Sequence, residues 1–126
     1  MEINSIDKIG AIKEIYGLTL EEMKRKIKSE EEIVLNENVF LIDIRPSEEF
    51  ADFRLPGAKN FDSFDDLNEV KKLIEEIKNK KVFVICRRGI GSQKITFFLK
   101  SREVETYSIE GGMYGWRDEN FPHLTK

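Results

Sequence analysis

Cysteine and histidine are nearly absent: the 126-residue chain has one of each, Cys86 and His123. A single cysteine excludes an intramolecular disulfide. With a single histidine it also excludes a zinc site of two cysteines and two histidines, or of four cysteines, and no metal is expected. Long apolar runs are missing as well, the longest being four or five residues, against the roughly 18 needed to cross a bilayer. No membrane partner is therefore expected. The N-terminus carries Glu2 and Asp7 and no apolar stretch of signal-peptide length. The expected setting is soluble, reducing and cytoplasmic. A surplus of one charge sign is lacking too: 21 Lys and Arg face 24 Asp and Glu, a net charge of −3. Without a basic face there is nothing to neutralise a phosphate backbone, so nucleic acid is not an expected partner. What remains is one domain length, 40% hydrophobic, enough to remove about two-thirds of the unfolded surface from water.

Two short runs carry the architecture. Val39-Phe40-Leu41-Ile42 and Val82-Phe83-Val84-Ile85 are continuously apolar and β-prone. A strand without alternation is covered on both faces, as in a parallel sheet held between helices. Between them Leu67, Val70, Leu73, Ile74 and Ile77 recur at helical spacing after the cap candidate Asp65. Strand, helix and strand then form a βαβ crossover. Thr19 with Glu22 forms a capping box ahead of the stripe Leu20, Met23 and Ile27. Glu30-Glu31-Glu32 reads as a solvated helix end or loop. A further helix is predicted from Ser92 to Lys100 with Ile95, Phe98 and Leu99 inward, then a strand from Glu105 to Ser108. A turn at Gly111-Gly112 and a short closing helix from Met113 to Arg117 complete the chain. Ile3, Ile6, Ile9 and Ile12 stand three apart, which suits a helical stripe or a strand-and-loop lead-in equally. Residues 1–12 are set apart as an N-terminal extension, and 13–126 as the domain. The fold class is a three-layer α/β domain.

In open α/β sheets ligands collect at the carboxyl ends of the strands. Asp43 and Cys86 stand there, directly after the two apolar runs. Cys86 is followed by Arg87-Arg88-Gly89-Ile90-Gly91-Ser92 and a helix. Two glycines let the backbone curl. A curl that enters a helix N-terminus turns several amide N–H groups toward one point, where the helix dipole adds positive potential. Beside two arginines and no acid, the thiolate of Cys86 is favoured. The pattern describes a nucleophilic sulfur in an anion cradle. Taken alone, a lone cysteine at a strand end is an inert small hydrophobe more often than a nucleophile; the conjunction of strand, cysteine, glycine-containing curl and helix start is what shifts the reading.

The same conjunction resembles the active-site pattern Cys-x-x-Gly-x-x-Ser of the rhodanese-like sulfurtransferases. Leu41-Ile42-Asp43-Ile44-Arg45-Pro46 with Glu48-Glu49-Phe50 is similar to the family's first signature, and Leu55-Pro56-Gly57-Ala58 with Asn60 to its second. Gly111-Gly112-Met113-Tyr114-Gly115-Trp116 with Phe121-Pro122 resembles its closing motif. The resemblance implies a mostly parallel central sheet with helices on both faces. It implies a sulfurtransferase without cofactor, in which Cys86 takes sulfane sulfur from an anionic donor such as thiosulfate. The persulfide then passes its sulfur to a thiol or cyanide, or to a partner protein. Arg87, Arg88, Gly89, Ile90, Gly91 and Ser92 would bind the substrate, with Asp43, Arg45 and Arg54 in support. Two positions depart from the pattern. Gly91 stands where the family often has Arg, with Arg87 or Arg88 supplying the charge from another point of the rim. Arg54 stands where the family has His. Trp116 and His123 are read as packing residues. Competing readings are a persulfide carrier or redox-sensing module, and a phosphatase or arsenate reductase of the same fold.

Overall fold

The computed structural model describes residues 4–126. In chain order the elements are β1 (Ser5–Ile6), α1 (Lys8–Tyr16), α2 (Leu20–Lys28), β2 (Val39–Asp43), α3 (Ser47–Asp52), β3 (Phe53–Arg54) and β4 (Lys59–Asn60). There follow α4 (Leu67–Ile77), β5 (Lys81–Ile85), α5 (Gly91–Ser101), β6 (Glu105–Ile109), α6 (Gly112–Asp118) and β7 (Leu124–Thr125). Five strands form one sheet in the order β1-β6-β5-β2-β4, with β3 and β7 as a separate pair. Every neighbouring pair in the large sheet is parallel, whereas β3 and β7 are antiparallel.

The two apolar runs are the adjacent central strands β2 and β5, and both faces of each are covered. Leu41, Phe83 and Ile85 pack on one side with Ile12, Ile15, Met23, Met113 and Trp116, from α1, α2 and α6. Phe40, Ile42, Val82 and Val84 pack on the other with Leu73 and Ile77 of α4 and Leu99 of α5. Side chains of a strand alternate between faces, so two helical layers claim alternate residues, and polar residues stand only at the strand ends, Asp43 and Lys81.

Local signals set the helix ends. Thr19 and Glu22 form the expected capping box. The cap of α4 is Asp66, not Asp65: its carboxylate accepts from the amides of Asn68 and Glu69. Starting one residue later places Leu67 at the first helical position, 65% exposed, instead of in the apolar stripe. The spaced isoleucines are split between a strand and a helix. Ile6 lies in β1, beside Ile109 of β6, and Asp7 then caps α1 by accepting from the amide of Gly10. Ile12 is buried on α1 while Ile9 is exposed; Ile3 lies outside the described residues. Residues 5–12 thus supply a strand of the sheet and part of the core beneath it.

The last helix bears on the strand ends. Trp116 is fully buried and donates its indole N–H to the carbonyl of Pro122 at 2.8 Å. The amides of Met113 and Tyr114 donate to the carbonyls of Cys86 and Arg87 at 2.8 and 2.9 Å. Gly112 permits this approach: its φ is +63°, and a Cβ there would stand 2.4 Å from the Arg87 carbonyl oxygen. Gly112→Ala combines a left-handed backbone with a backbone clash, so a cost of about 1–3 kcal/mol is expected. Thermal unfolding should show a melting temperature lower by roughly 5–10 °C. An unchanged value would mean that α6 does not bear on the loop in this way.

Candidate active site

The carboxyl ends of β2 and β5 are level, Asp43 standing beside Ile85. The amide of Ile44 donates to the carbonyl of Ile85 at 3.0 Å, which carries the contact one residue beyond the strands. Chain segments 44–46 and 86–91 leave side by side and border a cleft of about 420 Å³. Cys86 lies in its wall and is 7% exposed.

The loop closes on the sulfur. Gly89 at φ +91° reverses the chain, and its amide donates to Cys86 Sγ at 3.1 Å. The amide of Ser92, in the first turn of α5, donates to the same sulfur at 3.3 Å. The Cys86 thiol in turn donates to Ser92 Oγ at 3.3 Å, which shares a 2.7 Å hydrogen bond with Ser108 Oγ on β6. Ser92 and Ser108 are both buried. Two amide dipoles and the N-terminal end of an 11-residue helix therefore face one sulfur atom. That arrangement stabilises negative charge there and needs no side chain to do so. Gly91 leaves room: a Cβ would meet Ile44 Cδ1 at 3.6 Å and Cys86 Cβ at 4.0 Å.

The two arginines diverge. Arg87 turns to α3, where its Nε donates to both carboxylate oxygens of Glu49 at 2.9 Å and its Nη2 to Oε2. The hydroxyl of Tyr114 donates to Glu49 Oε1 at 3.5 Å. The Arg87 hydrogen bonds hold the Glu49 carboxyl below the usual glutamate range. Arg88 is exposed and lays its guanidinium 5.1 Å from the Tyr114 ring. It makes no ion pair among the described residues. Ile90, 68% exposed, forms an apolar part of the rim.

Asp43 and Arg45 form a fully buried ion pair beneath the cleft. Arg45 donates Nη2 at 2.8 Å and Nε at 3.0 Å to the carboxylate, and donates Nη2 also to the carbonyl of Phe53. Its guanidinium carbon lies 4.8 Å from the centre of the Phe53 ring. The Asn60 side chain ties the carbonyls of Asp43 and Arg45 together from β4. Arg54 is not brought to the cleft. It donates weakly to the Ala51 carbonyl at 3.4 Å and lies over Phe50. His123 bonds the Phe121 carbonyl and meets Phe53 edge-on. Sequence reasoning did not single out Ser108 or Tyr114 as site residues, and it took Glu49 only as part of a motif. Only their strand-end and helix-start positions hinted at the placement.

A parallel α/β sheet with a cysteine at the end of its central strand, and two loop amides turned toward that sulfur, defines a domain whose cleft can hold an anionic sulfur. The chain belongs to the rhodanese-like domain family, whose sequence model matches residues 19–119. It is 31% identical over 109 residues to the putative sulfurtransferase YtwF of Bacillus subtilis, covering 86% of this chain and 97% of that one. It is 29% identical over 100 residues to the thiosulfate sulfurtransferase GlpE of Actinobacillus succinogenes, covering 75% and 83%. Among solved structures, a rhodanese-related protein from Thermoplasma volcanium superposes with a TM-score of 0.67 at 22% identity, covering 98% and 99% of the two chains. The fold and the sulfurtransferase family are thereby shown.

The buried ion pair yields a direct expectation. Asp43→Ala leaves the Arg45 cation buried without its partner, which typically costs about 3–5 kcal/mol. Urea unfolding should register that loss. A change below about 1 kcal/mol, the range of an exposed pair, would show that the guanidinium escapes to water.

Proposed function

We propose that the protein is a thiosulfate-type sulfurtransferase working through a persulfide on Cys86. The observation that carries the reading is the convergence of the Gly89 and Ser92 amides on Cys86 Sγ, in the wall of an open cleft. In the first step the Cys86 thiolate attacks the outer sulfur of thiosulfate. A new S–S bond forms, the old one breaks with its electron pair leaving on sulfite, and Cys86 carries S–S⁻. In the second step cyanide, or a thiolate, attacks the terminal sulfur. Thiocyanate or an acceptor persulfide departs, and the thiolate returns. Charge and electrons balance in both steps, and splitting the transfer replaces one difficult displacement by two easier ones.

The roles follow from charge. Each step as written starts from an anionic sulfur and ends on one, so stabilisation comes from fixed dipoles rather than from a proton donor. The loop amides and the start of α5 supply it. Among the described residues, those bordering the cleft include no His, Asp or Glu, which suits a reaction that moves no proton. Arg88 gives the mouth a cation for an anionic donor. Asp43 and Arg45 act at a distance, by fixing the strand end that carries segment 44–46.

Steady-state assay of thiocyanate formation should give parallel double-reciprocal lines as thiosulfate and cyanide are varied, the signature of a covalent intermediate. Cys86→Ser should retain its fold by circular dichroism and lose transfer by at least about a thousandfold, comparable to removing a catalytic nucleophile. Transfer that persists in this variant would overturn the mechanism.

A further inference from the structure

We propose that Glu49 is a specificity-determining residue: a tethered anion that occupies Arg87 and so weakens, without abolishing, the site's hold on doubly charged sulfur donors relative to singly charged ones. This rests on the sulfur-transfer reading above and concerns only which class of donor the site takes. A guanidinium presents a planar fork to two oxygens, and the sulfonate end of thiosulfate would offer the same oxygen pair as a carboxylate. In this protein the Nε–Nη2 edge of that fork is already filled. Both oxygens of Glu49 accept from Arg87, across 38 positions of sequence, and Tyr114 holds the carboxylate from a third direction.

The charge arithmetic is simple. Arg87 and Arg88 give the rim two positive charges, and Glu49 cancels one. Arg88, stacked on Tyr114, is the cation that remains. The Arg87 side chain is 55% exposed and that of Glu49 23%, so their pair is partly screened and modest in strength. An incoming dianion can displace Glu49, at the cost of breaking the pair. A singly charged donor, which gains less from a second cation, loses less by its absence. The hydrogen bonds of Arg87 depress the Glu49 carboxyl, so the pair persists at neutral pH and is lost only as pH falls through that lowered value.

Two donors with the same reacting S–S bond test the idea: thiosulfate, a dianion, and methanethiosulfonate, a monoanion. With the second, Cys86 takes the outer sulfur and methanesulfinate leaves with the bonding pair, again in balance. With cyanide as acceptor, Glu49→Gln should lower KM for thiosulfate by about threefold to tenfold, the scale of one partly exposed ion pair. kcat should stay within about twofold. KM for methanethiosulfonate should fall distinctly less. Adding Arg87→Gln to Glu49→Gln should remove the gain. Should Glu49→Gln unfold early, Glu49→Met removes the same charge and keeps an apolar stem. A KM for thiosulfate that is unchanged or higher, or that falls equally for both donors, overturns the role of Glu49. If neither donor places a sulfur on wild-type Cys86, the sulfur-transfer reading itself fails. If both do and KM does not move, only Glu49 is misassigned.

Discussion

The site depends on where the backbone of one short loop points its dipoles. A peptide group cannot direct its N–H and its C=O to the same place, so a loop that aims amides at a sulfur must send carbonyls elsewhere and satisfy them. Helix α6 anchors the start of that loop, at the two peptide groups that precede the one carrying the Gly89 amide. Its first amides take the carbonyls of Cys86 and Arg87, while the amides of Gly89 and Ser92 face Sγ. The contact requires a glycine at 112 and another at 89, where a Cβ would lie 2.9 Å from the Gly111 nitrogen. The Gly-Gly turn and the cysteine loop, more than twenty residues apart, are therefore one structural unit.

On the proposed reading, the cleft would work through its backbone while its side chains are ordinary. The groups facing the sulfur are main-chain dipoles held by the sheet on one side and α6 on the other, so the proposed transfer would need no reorganisation of them. Side chains around the rim oppose one another in charge. Arg87 and Glu49 form a pair, Arg88 rests on Tyr114, and Gly91 leaves the adjacent space open. On the proposed reading, the backbone would carry the transfer chemistry and the rim the choice of donor.

Much of this was legible in the sequence because it is local. Doubly apolar runs named β2 and β5, the Thr19-Glu22 box named a helix start, and glycines after Cys86 named the curl. What was not legible falls into two kinds. Some signals were degenerate: isoleucines three apart fit a helix or a strand, and Asp65 and Asp66 are the same residue type one step apart, separable only by backbone angles. Other features were non-local. Arg87 read as a free rim cation because its partner lies 38 positions away on α3, and Ser108 joined the site only through the pairing of β6 with β5. Residue type reveals what a side chain can do; the partner it has already taken comes from tertiary structure.

The central claim is that the cradle around Cys86 holds a sulfur-bearing anion between two half-reactions. Intact-protein mass spectrometry tests it directly. After incubation with thiosulfate and removal of the excess, the protein should be heavier by one sulfur atom, and brief exposure to cyanide should restore the original mass with release of one equivalent of thiocyanate. A mass that stays unchanged with thiosulfate, or an added sulfur that cyanide does not remove, would contradict the account.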